Sequence, residues 1–386
     1  MTIEITRPED FQQLAQDGLR TVVDPMILRC GELFLKGSRQ ADNPDEVWSL
    51  LSANIYGLGM FFDSLVLNEQ IPVFNYGDTF DMGLNFDQRM LARVNDYGNP
   101  VLFDVNVQYD AYWTVKRAAL DELKKISTEE HPLDETVITS ILSELAAAEY
   151  KWVPHLSDFE ATLTSDDEKQ IARFLFGGLI FTGYAQLLGG EHLMQPKRSR
   201  LFLDASLNID SDRADLEKKL FKALKERAQT AVADVPWLPT FFPYLLSQAR
   251  TPTGMLEIAG QLRRSPEVVE YRQWLGEVME LHRQYGRIPP EKEGEIRSVV
   301  EYVDRQLGSV SSLPKLDLSM TIADVAAFPV SIPGKVDITP VLSNLWGWML
   351  ASLPGKRYRK LLTKIVIAER QFTRLDRSIK TIWQAG

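Results

Sequence analysis

The stretch SDDEKQIARFLFGGLIFTGYAQLLGG, residues 165–190, predicts a buried core helix. A serine and three acidic residues mark its start, because carboxylates are favourable at the positive end of a helix dipole. Gly189 and Gly190 mark its end, since glycine readily adopts the left-handed conformation that stops a helix. The apolar run from Phe174 is interrupted by glycines and polar residues, and it is shorter than the roughly 20 residues of a transmembrane helix. We therefore expect a core helix and no transmembrane segment.

Helical patterns of the same kind extend over most of the chain. They predict a mainly α fold, an irregular multi-helix assembly with a minor β component. Asn43 and Pro44 are an N-cap and a first-turn proline that open a helix through about Glu69. The predicted helices cover 43–69, 110–126, 133–150, 165–188, 210–232, 253–264, 265–285, 289–307 and the C-terminal segment from 361, with a broken helix over 236–248. The predicted strands cover 70–76 and 101–107, and further short strands are expected within 315–332.

Composition shifts divide the chain into three predicted regions. Residues 1–150 form an acidic N-terminal α(+β) region, and residues 151–308 form a helical region. Residues 309–386 form a C-terminal region with short strands and a basic amphipathic helix. A loop rich in glycine, serine and proline, residues 308–314, marks the second boundary.

The charge of the chain is unevenly distributed. The net charge of −10 over 386 residues argues against a surface coated with basic groups for nucleic acid. Residues 41–110 contain eleven acidic and two basic residues, whereas residues 354–386 contain nine basic and two acidic residues. The two segments either face each other or face different partners.

The start of the chain and its cysteine content indicate a location. Cys30 is the single cysteine, so an intrachain disulfide is excluded, which fits a reducing compartment. The first residues lack the basic and apolar regions of a signal peptide. We therefore expect a cytoplasmic protein.

Apolar residues in the C-terminal helix recur at steps of four and three, as in a heptad seam. We expect this seam to bind a protein partner or a second copy of the chain. Its residues are Leu361, Ile365, Phe372, Leu375, Ile379 and Ile382. Docking of the helix on its own domain explains the same pattern and remains open, as does a helix lying on a membrane surface.

Two basic groups are candidates for contact with an anion or a nucleic acid. The first precedes the C-terminal helix and consists of Lys356, Arg357, Arg359 and Lys360. The second follows the glycine pair, in a predicted loop that contains His192, Lys197, Arg198 and Arg200. The segment 256–275 shares turn and apolar positions with a helix-turn-helix, but Glu267 and Glu270 would repel phosphate there.

No catalytic motif is found in the chain. A Walker loop, a dinucleotide fingerprint, a nucleophile elbow and zinc-ligand spacings are all missing, so we assign no catalytic residue, cofactor or metal. Acidic residues that converge in space would still allow a metal-dependent hydrolase or nuclease. The candidates are Asp24, which follows the β-like run 21–23, and Asp63, Asp78, Asp81 and Asp104.

These observations favour a non-enzymatic cytoplasmic protein that acts by binding a macromolecular partner. The first alternative is a nucleic-acid-binding protein that uses the basic C-terminal tail. The second is the metal-dependent hydrolase of the acidic N-terminal region.

Overall fold

The structure is a computed structural model of the 386-residue chain. It describes residues 2–75, 88–98, 101–128, 166–195 and 241–285, together with residues 361, 362, 364, 365, 368 and 375–386. The chain divides into two compact units. The first unit consists of Met1–Ser211, Ala249–Gly260 and Ile379–Gly386, and the second consists of Asp212–Gln248 and Gln261–Ser378.

The described residues are mainly helical with a small parallel β component, as predicted from the sequence. The strands are β1 (Thr2–Ile5), β2 (Thr21–Val23), β3 (Ile71–Asn75), β4 (Leu102–Val107) and β5 (Glu191–Leu193). The helices are α1 (Asp10–Gln16), α2 (Pro25–Lys36), α3 (Pro44–Ala53), α4 (Ile55–Leu67), α5 (Gln88–Gly98), α6 (Tyr109–Thr128), α7 (Asp166–Leu187), α8 (Phe242–Gln248), α9 (Pro252–Arg263), α10 (Pro266–Tyr285) and α11 (Leu375–Gln384).

All five strands belong to the first unit and pair in parallel. One ladder has the order β1-β4-β3, and a second ladder joins β2 to β5. Strand β2 also contacts β3, so the two ladders are neighbours. Parallel pairing requires long crossover connections, which helices supply between these strands.

One face of the strands packs against α1, α6 and α7. The rings of Phe11 and Phe74 stack on Tyr184 with centroid distances of 5.2 and 4.7 Å. Fully burying one such side chain stabilises the fold by about 1.5–3 kcal/mol. The strand residues on this face are Ile5, Val22, Phe74, Val105 and Val107.

The opposite face of the strands is also covered. Ile71, Val73 and Leu102 are at most 2% exposed, and strand alternation places them away from the first core. Helix α5 contacts β4, and its Arg93 guanidinium donates to the carbonyl of Leu35 in α2 at 3.0 Å. This hydrogen bond joins α5 to α2.

The predicted helix over 43–69 is wrong in one respect, because it is broken at Asn54. The starting signals are confirmed: the Asn43 side chain accepts a hydrogen bond from the N–H of Glu46, and Pro44 is the first helical residue. The two helices, α3 and α4, meet at an angle of 77°. The Asn54 amide donates to the carbonyl of Leu50 at 3.1 Å, which satisfies a backbone group left by the break.

The described part of the second unit has a small aromatic core. Phe241 lies 6.2 Å from Tyr271, and Tyr271 stacks on Trp274 at 5.9 Å between ring centroids. The predicted start of the helix at Ser265 is confirmed, since the Ser265 hydroxyl accepts from the N–H of Val268 at 3.3 Å. Of the predicted broken helix over 236–248, the structure describes α8.

Several predictions fall on residues outside the described ranges. These are the helices over 133–150, 210–232 and 289–307, the strands within 315–332, and the two region boundaries at 150 and 308. Within the described residues, no single helix has both the length and the apolar character needed to cross a membrane.

Candidate functional site

Strand β4 has one apolar and one polar face, although it lies between two other strands. Val105 and Val107 point into the core formed with α1, α6 and α7. Asp104 and Asn106 alternate with them and therefore lie on the opposite face. Strands inside a parallel sheet that is covered on both sides are normally apolar throughout. The polar residues at the carboxyl end of β4 therefore depart from the pattern that stability alone favours.

Hydrogen bonds join these residues to the edge strand β1. The Asn106 amide nitrogen donates to both carboxylate oxygens of Glu4, at 3.1 and 3.0 Å. The Gln108 amide nitrogen donates to Glu4 Oε2 at 2.7 Å. The ladder explains this arrangement, because Glu4 and Asn106 are paired in register. We call Glu4, Asp104, Asn106 and Gln108 the polar patch.

The Asn106 side chain leaves one acceptor of the polar patch unused. Its Oδ1 is buried and accepts no hydrogen bond from the residues that the structure describes. Rotating the amide would not help, because the carboxylate of Glu4 requires the nitrogen on its side. A buried acceptor without a donor costs about 1–3 kcal/mol, so this position is unfavourable unless something else supplies a donor.

Exposure increases across the polar patch. Asp104 is 9% exposed, Asn106 and Gln108 are half-buried, and Glu4 is exposed. The patch thus runs from the covered interior to the solvent at the edge strand. The carboxylate oxygens of Glu4 and the carbonyl oxygen of Asn106 accept hydrogen bonds and favour positive charge.

A second polar cluster lies at the carboxyl ends of β2 and β5. Asp24 follows β2 directly and is the N-cap of α2, where its Oδ1 accepts from the N–H of Met26 at 2.9 Å. Its Oδ2 accepts from the N–H of Gln195 at 3.2 Å. The His192 Nε2 atom lies 3.9 Å from the same oxygen, and both side chains are at most 1% exposed.

The glycine pair permits this close approach. A Cβ atom on Gly190 would lie 1.7 Å from the carbonyl oxygen of Arg20, so only glycine fits beside the start of β2. Gly189 has a φ of 56°, in the left-handed region that favours glycine. The predicted helix stop is therefore confirmed. The predicted loop after it is wrong for 191–193, because these residues pair with β2 as a strand.

The hydroxyl of Thr182 joins α7 to His192. It donates to the carbonyl of Gly178 at 2.8 Å. Its oxygen lies within hydrogen-bond distance of His192 Nδ1, at 3.0 Å. A hydroxyl committed to Gly178 is not the nucleophile of a Thr-His-Asp arrangement. We interpret the cluster as a buried network that joins β2, β5, α2 and α7.

Four residues of the predicted seam are buried inside the chain. Leu361, Ile365, Ile379 and Ile382 are all at most 5% exposed. Phe372 lies outside the described residues, and Leu375 begins α11. This burial corresponds to the intramolecular alternative that the sequence left open. Binding of a partner through the seam stays a prediction.

The predicted basic groups are described only in part. His192 is 1% exposed within β5, so it presents no surface to an anion. The other seven residues lie outside the described ranges: Lys197, Arg198, Arg200, Lys356, Arg357, Arg359 and Lys360.

The acidic candidates are not gathered into one site in the part of the chain that the structure describes. Asp24, Asp63 and Asp104 are all buried, while Asp78 and Asp81 lie outside the described residues. Within the described ranges, no three His, Cys, Asp or Glu side chains come together as metal ligands. Cys30 is buried.

No protein-family model, curated protein or solved structure matches this chain. Sequence patterns did not indicate Glu4, Asn106 or Gln108 as site residues. The available signal was the alternation of polar residues in VLFDVNV, 101–107, within a strand that the structure places between two others.

Proposed function

We propose that this protein binds a small amine-bearing ligand at the polar patch. The observation that carries the proposal is the buried Oδ1 of Asn106, which accepts no hydrogen bond from the described residues. A ligand that donates a hydrogen bond to this atom would remove its desolvation cost. Ligand sites are a common place for such departures from optimal packing.

The position of the polar patch in the fold supports the proposal. Ligands of parallel α/β sheets bind outside the carboxyl ends of strands, where neighbouring strands send their connections to opposite faces. Strand β4 is followed directly by α6, which packs on the same face of the strands as α1. Asn106 lies near the carboxyl end of β4, just before the chain leaves the sheet.

The chemistry of the polar patch favours an amine over an anion. Glu4 and the Oδ1 of Asn106 present acceptors, and the amide donors of Asn106 and Gln108 are already bound to Glu4. The segment 41–110 also has a strong excess of acidic residues, which attracts cations at long range. An ammonium group has three donors and a positive charge, so it matches both features.

Thermal stability of the full chain with spermidine tests this proposal, with ribose as a comparator that carries only hydroxyl donors. A ligand at a hundred times its Kd stabilises a native protein by about 2.7 kcal/mol. We expect spermidine to raise the Tm and ribose to leave it unchanged. The shift should decrease with added salt, because screening weakens ionic contacts.

The variant Asn106→Leu separates binding from stability. Without ligand it should change the Tm little, because removal of the buried acceptor offsets the loss of the hydrogen bonds to Glu4. With spermidine it should lose the shift. Gln12→Leu on the exposed surface of α1 is the control and should retain the shift. If Asn106→Leu responds to spermidine like the wild type, the proposal is wrong.

The interaction function predicted from the C-terminal seam stays a prediction. Ile379 and Ile382 of the seam are buried within the chain, so a partner would have to displace α11 from its present contacts. The alternatives that use the basic tail or a metal site also remain predictions.

A further inference from the structure

We propose that Lys116 is a nucleophilic lysine that forms a Schiff base with a small aldehyde or ketone. Lys116 lies on α6, on the face of the strands opposite to the polar patch. The inference is therefore independent of the proposed function.

Lys116 is unusual because its side chain carries an amine and is almost fully buried. It is 5% exposed, and within the described part of the chain it makes no ion pair or hydrogen bond. By contrast, Lys36 has a carboxylate oxygen of Glu32 at 2.6 Å from its Nζ. Lysines are almost never buried to this extent unless they are paired.

Aromatic rings form the surroundings of the amine. The Nζ atom lies 4.4 Å from the ring centroid of Trp113 and 5.7 Å from that of Tyr112. These rings attract a cation. This attraction recovers much less free energy than an ammonium group loses when it is removed from water. Desolvation consequently lowers the pKa of Lys116 below its usual 10.5. The residue keeps 5% of its surface exposed, and we expect a small reagent to reach the amine there.

The reaction that fits these surroundings is addition to a carbonyl. The neutral amine attacks the carbonyl carbon, a C–N bond forms, and the C–O bond breaks as water leaves with two protons from the nitrogen. The resulting imine takes one proton from solvent and becomes an iminium ion. The Trp113 ring that now faces the ammonium would stabilise this cation, whereas an acylated lysine would be neutral and gain nothing from it.

Reductive alkylation with propanal and sodium cyanoborohydride tests the proposal on the full chain. The reagent transfers hydride to each imine carbon, and peptide mass mapping then gives the rate at each lysine. Lys380 is the matched control, because its Nζ also lies over an indole, that of Trp48 at 5.3 Å, but it is only half-buried.

At pH 7.5 we expect Lys116 to react roughly threefold or more faster than Lys380, because the neutral fraction of an amine rises about tenfold for each unit of lowered pKa. Its rate should also reach half of its plateau at a lower pH. Lys116→Met should remove this label and leave the label on Lys380 unchanged. A slower reaction at Lys116 than at Lys380, an equal pH midpoint, or labelling only after addition of urea would overturn the proposal.

Discussion

Replacing Asp24 by asparagine tests whether both oxygens of its carboxylate are needed. Oδ1 accepts from the N–H of Met26 and Oδ2 from the N–H of Gln195, at 2.9 and 3.2 Å. Asparagine has one acceptor oxygen and one donor nitrogen at these places. Whichever way the new amide is turned, one backbone N–H faces another donor.

The magnitude follows from these two hydrogen bonds. One buried N–H without an acceptor costs about 1–3 kcal/mol, so we expect Asp24→Asn to lower the free energy of unfolding by about 2 kcal/mol. Asp24→Ala loses both bonds, including the N-cap of α2, and should cost about 3–4 kcal/mol. For a unit of 150–250 residues, about 2 kcal/mol corresponds to a Tm decrease of about 4–8 °C.

Hydrogen exchange gives the most local readout, because a chain with two compact units need not unfold in a single step. We expect faster amide exchange in the first turn of α2 and in 191–195 for Asp24→Asn, together with the lower Tm. Asp42→Asn, at an exposed position with no described contact, is the matched control. If Asp24→Asn stays within about 0.5 kcal/mol of the wild type and exchange is unchanged, the two-oxygen argument is wrong.

Three further predictions concern backbone fit, docking and pH. In urea unfolding, Gly190→Ala should destabilise the protein by about 3 kcal/mol, because its Cβ would overlap a backbone carbonyl. The control Gly57→Ala should stabilise it by about 0.5–1 kcal/mol, because its Cβ would meet only Cys30 Sγ, at 3.6 Å. Trp383→Ala should destabilise the protein by about 3–5 kcal/mol, because Trp383 is 1% exposed. The control Gln384→Ala, at an exposed position, should change the stability little. Equal Tm values for the two variants would contradict this prediction. Hydrogen bonds from the backbone of Arg7 and from Thr6 lower the pKa of Asp10 below 3.8, so its stabilisation is complete above this pH and is lost as the pH falls through the lower, folded-state value. The free energy of unfolding should therefore decrease less steeply with falling pH for Asp10→Asn than for the wild type. An unchanged dependence on acidic pH would count against a stabilising role of these hydrogen bonds.

The structure shows which sequence signals were sufficient. Caps and glycine stops predicted α7 and the start of α10 closely, because they act through hydrogen bonds within a few residues. The apolar runs 70–76 and 101–107 predicted β3 and β4 for a similar reason. The bend at Asn54 was missed because asparagine is also tolerated inside a helix, and only the packing of α3 and α4 decides between the two outcomes.

The candidate site was much less predictable. Asn106 and Gln108 have no motif spacing, and their neighbour Glu4 is about a hundred residues away in the sequence. His192 was placed in an exposed loop because 191–193 is too short to show a strand pattern. It becomes a strand only because β2 offers it a hydrogen-bonding edge. Lys116 has an ordinary position in an amphipathic pattern, and its burial is a property of its surroundings.

The sequence by itself determined the mainly helical class, the principal start and stop signals and the burial of the 165–190 helix. Each of these depends on interactions between residues that are close along the chain. The tertiary structure decided the parallel order β1-β4-β3, the polar face of β4, the pairing of Asp24 with Gln195 and the internal docking of Ile379 and Ile382. These features join distant segments, and their free energies depend on which surfaces remain to be covered once the helices have formed.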